Sequence, residues 1–229
     1  MINLEHLTYQ EIGVTEPGEV VFMRPFGPAV GHATLPTEMV EAFNRDIDGG
    51  TEGIDWSDRL VGKVHAENLI PTEVIQEHVR FFTDAALGYV DQYASRHCHP
   101  VSQDIQPVVS IHSAWYVRQR AGDFNPVHLH TNAELSAIGY LQMPDDIEEE
   151  WAQDSLDHYP SHGHVEFMHG SPTFLNRASF MVRPKVGDFF LFPADMLHTV
   201  YPFRCEGERR SFSMNIIVAE KDDDDGEEA

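Results

Sequence analysis

The residues best suited to chemistry are two histidines, His128 and His130, in the stretch Gly122-Asp-Phe-Asn-Pro-Val-His-Leu-His130. The segment reads as a strand, and on a strand side chains two positions apart point to the same side. Two neutral imidazoles on one side suit a first-row metal such as Fe(II), Mn(II) or Zn(II), which needs at least a third ligand from elsewhere. His198 is the candidate for that third position. It closes Gly187-Asp-Phe-Phe-Leu-Phe-Pro-Ala-Asp-Met-Leu-His198, a glycine turn leading into an apolar strand with a histidine shortly after a proline. The chain has 14 histidines, most of them surface or packing residues, so spacing and not residue type carries this reading.

A second set lies on the last strand, residues 209–218, where Arg209, Ser211, Ser213 and Asn215 alternate with Phe212, Met214 and Ile216. If the polar face turns inward it needs a polar ligand; if it turns outward it simply meets water, and periodicity does not choose between the two. A guanidinium pairs with a carboxylate in a bidentate fork, and a serine hydroxyl adds a hydrogen bond. Arg210 is the rival for that role, but Arg209 shares the face of the serines.

These residues need elements to hold them in place. A helix is expected from Pro36, with Val40, Phe43 and Ile47 on one face and Gly49-Gly50 at its end. A longer helix capped by Thr72 would bury Ile75, Val79, Phe82, Ala86, Val90 and Tyr93. Its end near His97-Cys98-His99-Pro100 reads as a helix stop before proline in preference to a metal cluster. After residue 107 the pattern turns to strands, over 108–117, 135–141, 164–168, 180–183, 189–192, 198–203 and 209–218, with no further helix expected. Residues 144–163, rich in Asp and Glu, read as a solvated loop able to cover a site. Residues 19–23 read as an edge strand. The division expected is an N-terminal extension over 1–107 with two packing helices, a β core over 108–219, and a disordered acidic tail over 220–229.

Composition narrows the class. With 38 acidic residues against 15 basic ones the net charge is −23, which disfavours nucleic acid and anionic membranes as partners. The acid excess reads as a solubility device, or else as an adaptation to high salt, where screening removes self-repulsion. Two cysteines, Cys98 and Cys205, make no disulfide framework, and no leader or apolar span is evident, so a cytoplasmic protein is expected. Oligomer formation is left open.

Taken together, His128-x-His130, His198 and Arg209-x-Ser211 resemble the Fe(II)- and 2-oxoglutarate-dependent oxygenases, in particular a group known mainly from bacteria and phages. The likeness spans roughly residues 108–218 and includes Trp115, Asn125 and the strand that carries Tyr140. The resemblance implies a mainly β fold, a double-stranded β-helix (jelly-roll) barrel with N-terminal flanking helices. It implies Fe(II) on His128, His130 and His198, and 2-oxoglutarate as co-substrate with its far carboxylate on Arg209 and Ser211. The activity implied is a dioxygenase, a hydroxylase whose substrate, small molecule or protein, the sequence does not name. Histidine at position 130 departs from the carboxylate of most of the superfamily. Two other readings stand beside this one. A cupin metalloenzyme would add Glu134 as a fourth ligand, and a barrel without catalysis would serve as a binding module.

Overall fold

In a computed structural model, residues 27–50, 54–96, 107–153, 161–174 and 176–220 are described. In chain order they form β1 (Gly31–Thr34), α1 (Thr37–Asp48), β2 (Ala66–Leu69), α2 (Thr72–Arg96), β3 (Pro107–Gln119), β4 (Asn125–His128) and β5 (Leu135–Gln142). There follow α3 (Ile147–Ala152), β6 (Val165–Met168), β7 (Ser179–Val182), β8 (Asp188–Pro193), β9 (Leu197–Val200) and β10 (Arg209–Glu220). A six-stranded sheet runs β1-β8-β5-β10-β3-β2 and a four-stranded sheet runs β4-β9-β6-β7, with every pairing antiparallel. The fold is mainly β, a jelly roll of two facing sheets flanked by helices.

The alternation along β10 decides what each side of the large sheet meets. Phe212, Met214, Ile216 and Val218 are buried in a core shared with α1 and α2. Phe43 of α1 packs edge-on against Phe212 at 5.1 Å between ring centres, and Phe82 of α2 does the same at 5.8 Å. The opposite face carries Arg209, Ser211, Ser213 and Asn215 toward the smaller sheet, and its serines and asparagine line the cavity there. The polar face therefore turns inward. Arg210 points the other way and pairs with Glu208 and Asp48.

Three expectations need correction. Residues 147–152 form the short helix α3, because Ile147 and Trp151, one helical turn apart, pack against Phe203. Strand β9 stops at Val200, since Pro202 offers no N–H to a ladder. Thr72 does not cap α2 but enters it, and Pro71 takes the position in front, its carbonyl accepting from the Val74 and Ile75 amides. Residues 19–23, the His97–Pro100 cluster and the tail from 221 onward lie outside the described residues. No helix among the described residues is long and apolar enough to cross a membrane.

Candidate metal centre

The strand register builds the site. His128 is the last residue of β4 and stands directly across the ladder from His198 on β9. At His130 the chain has already left the strand, contrary to the expectation of one continuous strand, and its amide is pinned to the Ala194 carbonyl at 2.8 Å. The three imidazoles nonetheless converge. One ring nitrogen of each lies within 4.8 Å of the others, and they form the one such cluster of three among the described residues. Ring centres are 4.2 Å apart for His128 and His198, and 5.1 Å for His130 and His198.

Hydrogen bonds decide which nitrogen each histidine offers. His128 Nδ1 lies 2.7 Å from the Pro126 carbonyl, His198 Nδ1 lies 2.9 Å from the Met196 carbonyl, and His130 Nδ1 lies 2.6 Å from Asn215 Oδ1. Each partner oxygen only accepts, so each Nδ1 carries the proton and donates, leaving Nε2 with its lone pair for a metal. Asn215 is itself oriented by the Ser136 hydroxyl, which donates to the same Oδ1 at 3.0 Å. Trp115 backs the His130 ring in a stacked arrangement at 5.6 Å. Burial holds all three histidines below their ordinary titration range, and for His198 burial together with the two neighbouring imidazoles brings it down to about 3. Neutral imidazoles are the form a metal requires.

Glu134 does not join them. Its carboxylate accepts the Val218 amide at 2.9 Å, on the strand beyond, which removes the fourth ligand a cupin would need.

Beside the histidines lies a cavity of about 180 Å³, lined by Trp115, Gln119, Tyr140, Ser211, Ser213 and Asn215, with Leu60, Val61 and Leu129 among its apolar walls. Its volume is below the roughly 300–1,000 Å³ of drug-sized pockets, so it suits a small molecule. Ser211 reaches the wall. Arg209 does not line it; fully buried, it sits behind, donating from Nε to Gln119 Oε1 (3.0 Å), from Nη1 to the Gly163 carbonyl (2.9 Å) and from Nη2 to the Tyr201 carbonyl (3.2 Å). Its guanidinium also lies over the Phe203 ring at 5.2 Å. Among the described residues no carboxylate forms an ion pair with it. Its hydrogen-bond acceptors are neutral and Asp123 acts on it only through space, so the cation keeps attraction to spare for an anion. The Tyr140 hydroxyl, at the cavity wall, is buried without a hydrogen-bond partner among the described residues.

Tyr140 and Glu67 are the site residues that sequence reasoning missed. The signal for Tyr140 was a hydroxyl-bearing side chain in an otherwise apolar strand, in phase with Ser136. Glu67 gave no local signal; strand pairing of β2 with β3 brings it to the cavity wall at 2% exposure. Burial pushes its carboxyl up to about 7, with Asn125 opposing the shift by a hydrogen bond and Asp55 adding repulsion. Because the folded value lies above the ordinary 4.5, stability from this group is complete below pH 4.5 and is lost as pH rises through about 7. Glu67→Gln is therefore expected to exceed the wild type in stability by about 3 kcal/mol at pH 8, with the difference vanishing near pH 4.5. Urea unfolding of both proteins at the two pH values checks this, and equal differences at both would contradict it.

Comparison with known proteins agrees with this geometry. A family model described as "Putative 2OG-Fe(II) oxygenase" matches residues 113–215, a segment that holds all three histidines, Tyr140, Arg209, Ser211 and Asn215. No curated protein matches the sequence. Among solved structures, a Pseudomonas putida prolyl-4-hydroxylase superposes with a TM-score of 0.50 at 14% identity, covering 82% of this chain and 91% of its own. A prolyl hydroxylase from Trichoplax adhaerens, in complex with a hypoxia inducible factor peptide fragment, gives 0.51 at 10% identity, covering 83% of each chain. The α-ketoglutarate-dependent epimerase SnoN from nogalamycin biosynthesis gives 0.51 at 12%, covering 83% of this chain and 76% of its own. At such identities these structures establish the shared fold, and the family match establishes the chemistry of the group. Over residues 113–215 the chain is similar to the 2-oxoglutarate- and Fe(II)-dependent oxygenases, oxidoreductases whose metal is Fe(II) and whose co-substrate is 2-oxoglutarate, and its three converging histidines agree with that likeness.

Proposed function

We propose that the protein is a hydroxylase in which His128, His130 and His198 hold Fe(II) through Nε2, and 2-oxoglutarate occupies the adjoining cavity. When bound, the iron and keto acid supply the oxidative decarboxylation that lets dioxygen oxidise a C–H bond of a second substrate. The observation that carries the reading is the convergence of three neutral imidazoles, each with Nδ1 already committed, beside a buried arginine that forms no ion pair among the described residues.

The chain's own residues then divide the work. Pro126, Met196 and Asn215 fix the tautomer and aim of the histidines, which raises their basicity toward the metal. Three neutral imidazoles would leave a bound Fe(II) its full double positive charge, which would favour a dianionic co-substrate. The Tyr140 and Ser211 hydroxyls would hold the far carboxylate, with Arg209 supplying charge from behind the cavity wall. Trp115, Ile138 and Val200 give the cavity an apolar wall beside the histidines.

The test is anaerobic titration with Fe(II) and then 2-oxoglutarate, following the visible charge-transfer band of the chelated keto acid. Arg209→Ala is expected to weaken 2-oxoglutarate binding about tenfold, because it removes the positive charge behind the far carboxylate, while Fe(II) affinity changes little. Tyr140→Phe keeps the ring and removes only the hydroxyl, and is expected to weaken the keto acid roughly fivefold to tenfold. Unchanged 2-oxoglutarate affinity in both variants would move the far carboxylate elsewhere.

A further inference from the structure

Glu67 stands in the same cavity as the histidines and has no part in holding the metal or the keto acid. A carboxylate only 2% exposed is costly unless something compensates it. Among the described residues no basic side chain forms an ion pair with it; its side-chain partner is Asn125, and Asp55 lies near enough to repel it. The pair fits closely. A Cβ at Gly62 would stand 2.8 Å from Asn125 Nδ2 and 3.0 Å from Glu67 Oε1, so glycine there leaves the room that the contact occupies.

Hydrogen bonds also give the carboxylate a direction. Arg209 Nε donates to Gln119 Oε1, and Gln119 Nε2 donates to Asn125 Oδ1 at 2.9 Å. With its oxygen so engaged, Asn125 turns its amide hydrogens to Glu67. The hydrogen bonds run from the buried Arg209, behind the cavity wall, through Gln119 and Asn125 to Glu67, so an acceptor is held in place in the wall of the cavity. In the same wall Val61 is 54% and Leu129 44% exposed, apolar side chains left open to solvent. The net charge of −23 draws cations toward the protein as a whole.

We propose that Glu67 is a specificity-determining residue that receives the ammonium or guanidinium group of the second substrate, with Val61 and Leu129 flanking its aliphatic stem. The substrate class is thus an amine or guanidine on an apolar stem, free or as a basic side chain of a peptide. The proposal rests on the oxygenase reading of the same site, and the experiment keeps the two apart.

Protein loaded anaerobically with Fe(II) and 2-oxoglutarate is titrated with n-pentylamine, agmatine, a capped Gly-Lys-Gly peptide and its norleucine counterpart. Binding is followed by the shift of the visible band, and independently by ligand-observed NMR on metal-free protein. The cationic probes are expected to bind at least tenfold more tightly than the neutral peptide. Glu67→Gln is expected to erase that preference while the band still forms, and Glu67→Asp, which keeps the charge, to restore part of it. Tighter binding of the lysine peptide than of n-pentylamine supports the proposal with a peptide as the source, and the reverse order supports it with a free amine. Equal binding of neutral and cationic probes by the wild type overturns it, as does a preference that survives in Glu67→Gln. So does a loss of 2-oxoglutarate affinity in Glu67→Gln with no change in amine preference, which would make Glu67 only the distant counter-charge of Arg209. Failure of the band to form in the wild type counts against the oxygenase reading, and the NMR arm still decides the role of Glu67.

Discussion

Replacing His198 with alanine is expected to weaken Fe(II) binding at least a hundredfold and to take the chelation of 2-oxoglutarate with it. The residue is 1% exposed and faces His128 across the ladder, with Phe192 at 4.8 Å and Phe167 at 6.5 Å packing on its ring. Among the described residues no fourth histidine, cysteine or carboxylate extends the cluster, so nothing replaces the lost nitrogen. Glu134 is held by the Val218 amide and is not available as a substitute. Titration with Fe(II) or Co(II), followed by absorbance, measures the loss, and circular dichroism checks that the sheets persist. Retained affinity in His198→Ala would mean that the metal sits on a different set of ligands.

The second large effect concerns the fold that aims those ligands. A methyl group at Gly139 would stand 2.2 Å from Phe212 Cε1 and 2.4 Å from Cζ, distances no real side chain tolerates. Phe212 has nowhere to retreat: it is fully buried, with Phe43, Phe82 and Phe189 around it. Gly139 lies opposite Phe212 in the β5–β10 register, so a shift here disturbs the pairing that carries Ser211, Ser213 and Asn215. Gly139→Ala is expected to cost about 3 kcal/mol, at the upper end for overpacking a close-packed core, and to lower the melting temperature by on the order of 10 °C. Shrinking the ring in Gly139→Ala/Phe212→Leu should recover part of the loss, because the two changes share one space. Additive destabilisation in urea unfolding would show that the clash is not the cause.

Several features of the site were legible along the chain because they depend on local periodicity. Alternation placed Arg209 with the serines and left Arg210 to Glu208 and Asp48. The His-x-His spacing brought two imidazoles together even though β4 ends at His128, since the Ala194 carbonyl pins the next residues in place of a strand partner. Other features depend on what a face meets, which periodicity does not encode. Residues 144–153 carry enough acid to read as loop, yet Ile147 and Trp151 make a helix once Phe203 is there to pack against. Glu134 has the cupin spacing, but the Val218 amide claims its carboxylate.

By itself the sequence determined a mainly β protein, the spacing that singles out the three histidines, and the shared face of Arg209 and Ser211, because strand alternation and ligand spacing are written in neighbouring positions; which way that face turns was left to the tertiary structure. The tertiary structure alone decided that Arg209 stands behind the cavity wall and that Tyr140 presents an unpartnered hydroxyl there. It alone brought Glu67, from a strand far earlier in the chain, to the same cavity as the histidines. Those outcomes follow from antiparallel pairing between distant strands, β2 with β3 and β10 with both β3 and β5, and no local pattern specifies which strands will be neighbours.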